Sequence, residues 1–270
     1  MRMTRTALVS LIAIFTLGVL PAVASARAVL LDGSTSMFPL VTQLATAYHK
    51  ATHQPAPHVG QGTSGAGITD VAAGRVDIAD VSRDPIIGVD PKGLRFTKVA
   101  RDGVCVITNP SNHLTNISQQ LVQEIFTGQI RSWSEVPGAT ASGPIDLFQR
   151  VASSGTQDAF QNIFLGETLK ISPAADAEES EGTMRQAVIS DPNGIGFTSF
   201  DFTPGTNAVG YQGIPCTLRN AKSGQYLGVR NFWMVTKGPP KGAAAKFINW
   251  VTSGNKVTKK IIASDWVVVH

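Results

Sequence analysis

Serine, threonine and glycine gather in three short runs of this chain, and each run opens a stretch with helical spacing: Gly33 to Ser36, Gly62 to Gly67 and Ser153 to Thr156. A helix start exposes backbone N–H groups that no carbonyl of the same helix reaches, and it carries the positive end of the helix dipole. Such a place receives anions. Glycine lets the backbone approach a ligand closely, and a hydroxyl adds a donor without adding charge. Arg150 stands four residues before Ser154, just past an apolar strand, and its planar guanidinium suits a two-pronged grip on an oxyanion. Any one of these runs reads ordinarily as a helix cap, and a lone arginine as a solvated surface residue. Three runs and an arginine in one chain point instead to a site for a small anion.

The elements that position these runs alternate strand and helix. Val29 to Leu31 is a short apolar strand, and Pro39 suits the first turn of the helix that follows, with Leu40, Val41, Leu44, Ala45 and Tyr48 on one face. The same order recurs in the loop and helix ending near Arg75 and the strand Val76 to Val81. Further strands are expected at Gly103 to Thr108, Ile145 to Phe148, Ile195 to Phe200, Val209 to Tyr211 and Asn231 to Thr236. Further helices are expected at Ser118 to Phe126, Gln157 to Phe164 and Gly242 to Thr252. This alternation predicts an α/β fold with mainly parallel sheets and helices on both faces.

Composition narrows the functional classes. Arg2 and Arg5, an apolar run from Thr6 to Val23 and the small residues Ala24-Ser25-Ala26 have the form of an export signal, cleaved near Ala26. Loss of Arg2 and Arg5 takes the formal charge from +4 to +2. No Lys/Arg stripe is present, so nucleic acid is not an expected partner. Two cysteines, Cys105 and Cys216, have two readings: a disulfide in an oxidising compartment, or two separate buried thiols. His49 and His53 are spaced four apart with His58 beyond, but no third ligand lies near, so they read as a solvated face and no metal is expected. The acidic run Asp176 to Glu181 reads as an exposed loop, and Trp133, Trp250 and Trp266 as packing residues. Gly-Thr-Ser-Gly (Gly62 to Gly65) has no histidine and acid in a recognisable setting to make it a nucleophile, so no enzyme and no cofactor is expected.

The order of motifs carries a family resemblance. GSTSMFPL (Gly33 to Leu40), GTSGAG (Gly62 to Gly67), GRVDIADVSRDP (Gly74 to Pro85), DGVCVITNPSN (Asp102 to Asn112), EIFTGQIRSWSEV (Glu124 to Val136), RVASSGTQDAF (Arg150 to Phe160), DPNGIGF (Asp191 to Phe197) and NFWMVTKG (Asn231 to Gly238) follow one another along nearly the whole chain after the leader. Together they resemble the phosphate-binding proteins of bacterial high-affinity phosphate importers, the periplasmic component of an ABC transporter. The resemblance implies two α/β lobes joined by two crossover strands, with crossings near Cys105 and Phe232. One lobe is then discontinuous, residues 27–104 and 232–270, and the other is 105–231. Ligand is expected beyond the carboxyl ends of the strands. Position by position, the resemblance nominates Thr35, Ser36, the backbone of Met37 and Phe38, Thr63, Arg150, Ser154, Gly155 and Thr156.

One position departs from the family pattern. Many relatives place an aspartate after the strand that corresponds to Val76–Val81, where it accepts a hydrogen bond from a protonated oxyanion and so disfavours sulfate. Plain alignment puts Ser82 there; Asp84 or Asp80 are the alternatives, and Arg83 is a candidate second cation. The expectation is an exported, monomeric, non-enzymatic protein that binds phosphate between its lobes and delivers it to a membrane permease. The rivals are another oxyanion, sulfate or molybdate, and an exported phosphate-handling enzyme or anion sensor on the same fold.

Overall fold

The first β-α-β unit sets the pattern for the molecule. In the computed structural model, which describes residues 27–269, strand β1 (Leu30–Gly33) runs into helix α1 (Phe38–Thr52). Pro39 lies in the first turn of α1, and Leu40, Val41, Leu44 and Tyr48 are buried on one face. Strand β2 (His58–Val59) pairs parallel with β1, helix α2 (Ser64–Ala73) follows, and strand β3 (Ile78–Val81) returns parallel on the other side of β1. The leader lies outside the described residues.

Strand β4 (Leu94–Thr108) is far longer than the sequence pattern predicts. Its first half, with Arg95, Lys98 and Arg101 among apolar residues, lacks a clean alternation of hydrophobic and polar side chains. The second half is buried throughout. Beyond it come β5 (Asn116–Ile117), α3 (Gln119–Phe126), β6 (Asp146–Arg150), α4 (Gly155–Phe160), β7 (Asp176–Glu178), α5 (Glu181–Ser190) and β8 (Gly194–Ser199). A π-helical turn, Gln161–Leu165, continues α4 over the rest of the expected helix. The short strands β9 (Asn207–Ala208) and β10 (Gly210–Tyr211) and helix α6 (Leu218–Lys222) precede β11 (Val229–Lys237). Helices α7 (Gly242–Thr252) and α8 (Lys256–Asp265) close the chain.

The main sheet runs in the order β2-β1-β3-β11-β4-β8-β6-β7, with β9 alongside β4. Its outer pairs, β1 with β2 and β3 and β6 with β7 and β8, are parallel. At the centre, β11 pairs antiparallel with β3 and β4, and β4 pairs antiparallel with β8 and β9. The sheets are thus parallel at the flanks and antiparallel where β4 and β11 run past each other in opposite directions. Parallel strands are covered by helices on both faces, which explains their near-continuous apolar sequence.

Two sets of buried side chains lie on either side of this crossing. One includes Val29, Leu40, Leu44, Val99, Ala100, Phe232, Phe247 and Trp266, with Ile68, Val71, Val81 and Val235 as a satellite. The other includes Val104, Val106, Phe126, Trp133, Phe160, Phe197 and Tyr226. Along β4 the change falls between Ala100 and Val104; along β11 it falls between Val229 and Phe232. The register of β11 on β4 shifts at Phe232/Trp233, as bulges do where a strand bends.

Cys105 and Cys216 form a disulfide, with Cα atoms 5.8 Å apart across a separation of 111 residues. Closing so long a loop restricts the unfolded chain strongly, an effect of about 2–4 kcal/mol for a typical disulfide. Replacing both cysteines by alanine is expected to lower the denaturant midpoint correspondingly, with the far-ultraviolet circular dichroism of the folded state unchanged.

Candidate functional site

The hydroxyl-rich loops meet at the point where β4 and β11 cross. Gly33, at the end of β1, has φ of +148°, and a Cβ there would lie 2.2 Å from the Asp80 carbonyl. Only glycine lets β1 turn this tightly against β3. The turn brings Ser34 and Ser36 inward with Oγ atoms 2.7 Å apart, and Ser34 Oγ donates to Ser82 Oγ at 2.8 Å. Ser64 Oγ lies 3.4 Å from Ser82 Oγ and accepts the Ser82 amide at 3.1 Å. Each hydroxyl has one hydrogen. Ser34 spends its own on Ser82, so Ser36 supplies the hydrogen between the first pair. Ser82 already accepts from Ser34, and its hydrogen is left to donate.

The other predicted residues arrive from both sides of the crossing. Thr63 is the N-cap of α2 and accepts Ala66 N–H at 3.2 Å. Ser154 is the N-cap of α4 and accepts Thr156 and Gln157 N–H at 3.2 and 3.4 Å. Both are therefore helix caps in the ordinary sense, yet a cap oxygen accepts and keeps its own O–H to donate. The Met37 and Phe38 amides point into their own turn, bonding the Ser34 and Thr35 carbonyls at 3.0 and 3.4 Å. Gly155 packs against the serines of the opposite loops: a Cβ there would fall 2.3 Å from Ser64 Oγ and 2.6 Å from Ser82 Oγ. Nearby, Gly65 N–H donates to Ser153 C=O at 2.9 Å.

Arg150 leaves β6 buried and highly committed. Its Nη1 donates to Glu181 Oε1 at 2.6 Å, its Nε to the Glu178 carbonyl at 3.0 Å, and its Nη2 to the Glu179 carbonyl at 2.9 Å and Thr35 Oγ1 at 3.5 Å. Glu181 N–H also donates to Thr35 Oγ1, at 3.2 Å. Glu181 corrects the expectation for the acidic run. Asp176 and Glu179 are exposed, but Glu181 is wholly buried. The run is the edge strand β7 and the start of α5, and Ser180 caps that helix reciprocally with Thr183. Helix entry turns Glu181 inward, where Arg150, Thr156, Thr198 and the Ser199 amide all donate to it.

The second cation beside the hydroxyls is Arg230, a residue the sequence did not nominate, and not Arg83. Arg230, on β11, lies opposite Asp102 in the β4 register. Its Nε and Nη2 bond Asp102 Oδ2 at 3.1 and 2.8 Å, and its Nη1 reaches Thr156 Oγ1 at 2.6 Å and Ser82 Oγ at 3.4 Å. A charged residue inside an apolar strand must be paired to be tolerated. The available signal is weak: Asp102 and Arg230 lie next to largely apolar runs, Val104 to Ile107 and Phe232 to Val235.

Neither of the two alternatives for the acceptor position hydrogen-bonds the serines with its carboxylate among the described residues. The Asp84 carboxylate is exposed and accepts from Asn231 Nδ2 and Trp233 Nε1 at 2.7 and 3.0 Å. Asp80 is buried and makes no side-chain hydrogen bond to the serines among the described residues; burial pushes its carboxyl well above the usual range, and the nearby Asp32 charge adds to this. Arg83, the candidate second cation, bonds acids and none of the serines among the described residues. It is buried, grips Asp90 with Nη1 and Nη2 at 2.9 and 2.7 Å, and reaches Asp158 on α4 with Nε at 2.9 Å. The contact to α4 fastens one side of the crossing to the other. Asp90 is held below the usual carboxylate range, because Arg83 and the Ile86 amide outweigh its burial.

The buried charges titrate in opposite senses. Burial alone would raise Glu181, but Arg150, Arg230 and the threonine hydroxyls hold it below its ordinary value, so it is ionised at neutral pH. Asp102 is raised to about 6 by burial, against the pull of Arg230. Asp201, just beyond β8, is raised to about 7 by burial and by the charges of Asp102 and Asp265.

Two cores, two long strands passing between them and a buried polar site at the crossing define a two-lobed solute-binding protein closed over its site. The chain belongs to the PBP superfamily, whose domain matches residues 21–255. It is 29% identical over 240 residues to the phosphate-binding protein PstS of Bacillus subtilis, covering 87% of this chain and 78% of that one. A candidate phosphate ABC transporter substrate-binding protein from Clostridium perfringens, solved with phosphate bound, superposes with a TM-score of 0.83 at 27% identity, over 90% of this chain and all of the other. An ABC-type phosphate transport receptor from Vibrio cholerae gives 0.71 at 25% identity, over 89% and 99% of the two chains.

The Asp201 environment fixes the sign of a pH effect. A carboxyl raised in the folded state holds its proton after the unfolded chain has lost it, so stability falls as pH rises from about 4 to about 7. Asp201→Asn is expected to raise the melting temperature at pH 8, by an effect of up to about 4 kcal/mol, and to leave it nearly unchanged at pH 4.

Proposed function

We propose that this chain is an exported binding protein that holds inorganic phosphate between its lobes and delivers it to the permease of an ABC importer. The observation that carries the reading is the cluster of Ser34, Ser36, Ser64 and Ser82 on one lobe facing Ser154, Gly155 and Thr156 on the other, with Arg150 and Arg230 beside it. A dianion loses much hydration on entering a closed cleft, and the loss is offset only where many donors replace water. Thr35, Thr63, Ser82 and Ser154 each accept in the structure and keep a hydrogen to give. The similarity to PstS and to a phosphate-bound transporter component favours phosphate within the oxyanion class.

The lobes are residues 27–104 with 232–270, and 105–231. The hinge is the crossing of β4 and β11. The bound ion contacts both lobes and so favours their closure, as in other hinged binding proteins. The protein acts as a monomer, binds without chemistry and needs no cofactor. Export, with the leader cleaved near Ala26, suits the disulfide, which persists in oxidising compartments.

Isothermal titration of the anion-stripped protein at neutral pH tests the reading, with phosphate as titrant and sulfate and molybdate as competitors. Tight phosphate binding undisturbed by either competitor is expected. Preference for sulfate or molybdate would move the assignment to another oxyanion, and no binding of any of the three would remove the anion reading. Gly155→Ala is expected to weaken phosphate binding about tenfold or more, equivalent to about 1.4 kcal/mol, because its methyl group would meet Ser64 and Ser82 before the lobes close.

A further inference from the structure

The position where relatives carry an acceptor for the ligand proton is Ser82, and the network around Ser82 makes it a donor. It accepts from Ser34 Oγ at 2.8 Å and from Arg230 Nη1 at 3.4 Å, which leaves its hydrogen to be donated, to Ser64 Oγ at 3.4 Å or to a ligand. An acceptor must come from elsewhere.

Thr156 has the opposite arrangement. Its Oγ1 accepts Arg230 Nη1 at 2.6 Å and is in short contact with Glu181 Oε1. Glu181 is wholly buried, and every partner it has is a donor: Arg150 Nη1 and Thr156 Oγ1 on Oε1, and Thr198 Oγ1 at 2.6 Å and Ser199 N–H at 3.1 Å on Oε2. Four donors and the nearby arginines keep the carboxylate ionised and without a proton of its own. The hydrogen in the Thr156–Glu181 contact therefore belongs to Thr156. A hydroxyl has one hydrogen and two lone pairs. With the hydrogen given to Glu181 and one lone pair given to Arg230, Thr156 can offer a ligand only its second lone pair.

We propose that Glu181, acting through Thr156, makes this hydroxyl the acceptor for the proton of a singly protonated oxyanion, and is the residue that favours phosphate over sulfate in this chain. The inference rests on the oxyanion reading above. Phosphate and arsenate carry a P–OH or As–OH proton at neutral pH and satisfy Thr156. Sulfate carries none and meets a lone pair with no hydrogen between the two oxygens, an unpaired polar contact in a buried place. Glu181 is a positioning residue: its carboxylate orients the threonine.

The test is the ratio of dissociation constants for sulfate and phosphate, with arsenate as a second protonated ligand, measured by titration calorimetry on the disulfide-bonded protein at neutral pH. In the unaltered protein phosphate and arsenate are expected to bind at least a hundredfold tighter than sulfate. Thr156→Val removes the acceptor, and the ratio is expected to fall at least tenfold, through loss of phosphate affinity and not of sulfate affinity. Thr156→Ser keeps the hydroxyl and is expected to retain the ratio. Glu181→Gln removes the charge that holds the Thr156 hydrogen, and the ratio is expected to fall at least tenfold as sulfate gains. If Glu181→Gln does not fold, as judged by its melting curve, the two threonine variants decide. A ratio unchanged in Thr156→Val, or phosphate and sulfate weakened equally, overturns the assignment while leaving the oxyanion reading in place. An unaltered protein that binds none of the three anions overturns both.

Discussion

Two buried ion pairs at the crossing of the long strands hold the rest of the structure to its form. Arg150–Glu181 and Arg230–Asp102 place two positive and two negative charges where solvent does not reach, each arginine side chain 2% exposed and each carboxylate 0%. An unpaired charge in such a place is not tolerated, and removing one partner of a buried pair typically costs about 3–5 kcal/mol. Each pair also reaches across the molecule: Arg150 to Thr35 on the first loop, and Arg230 to Ser82 and Thr156 on opposite sides of the cleft. The charges are balanced within the protein, so an incoming anion does not neutralise them. In the proposed site it meets hydroxyls and arginine edges whose orientations the pairs have already set.

That division of labour explains how the fold serves the site. The parallel flanks of the sheet present loops at strand ends, and glycines at Gly33 and Gly155 let those loops approach within side-chain contact. The antiparallel centre carries the crossing strands, and the disulfide ties Cys105 on β4 to the segment before α6. Arg83 joins Asp90 to Asp158 on α4, outside the hydroxyl cluster. The closed arrangement therefore has a rim contact of its own, separate from the groups assigned to the ligand.

Much of the fold was legible because it rests on local rules. Pro39 and the buried face of α1, the Thr63 and Ser154 caps, and the apolar strands at β3, β6 and β8 follow from spacing and propensity alone. The first half of β4 and helix α8 were not legible, since Arg95, Lys98, Arg101 and the lysines of Lys256–Lys260 mask any clean period. For the site, the loops and Arg150 announce themselves through residue type. Glu181 hides at the end of a run of exposed acids, and only its placement inside the first turn of α5 buries it. Arg230 and Asp102 meet across 128 residues of sequence, a pairing that depends on register and not on any short motif.

The central claim is that one small oxyanion bridges the two lobes at this cluster. A crystal structure of the anion-stripped protein saturated with phosphate tests it most directly. The account predicts the ion at the crossing of β4 and β11, accepting from Thr35, Ser82 and Ser154 and turning its one O–H toward Thr156 Oγ1. An ion held elsewhere on the surface, or contacting the residues of one lobe only, would contradict it.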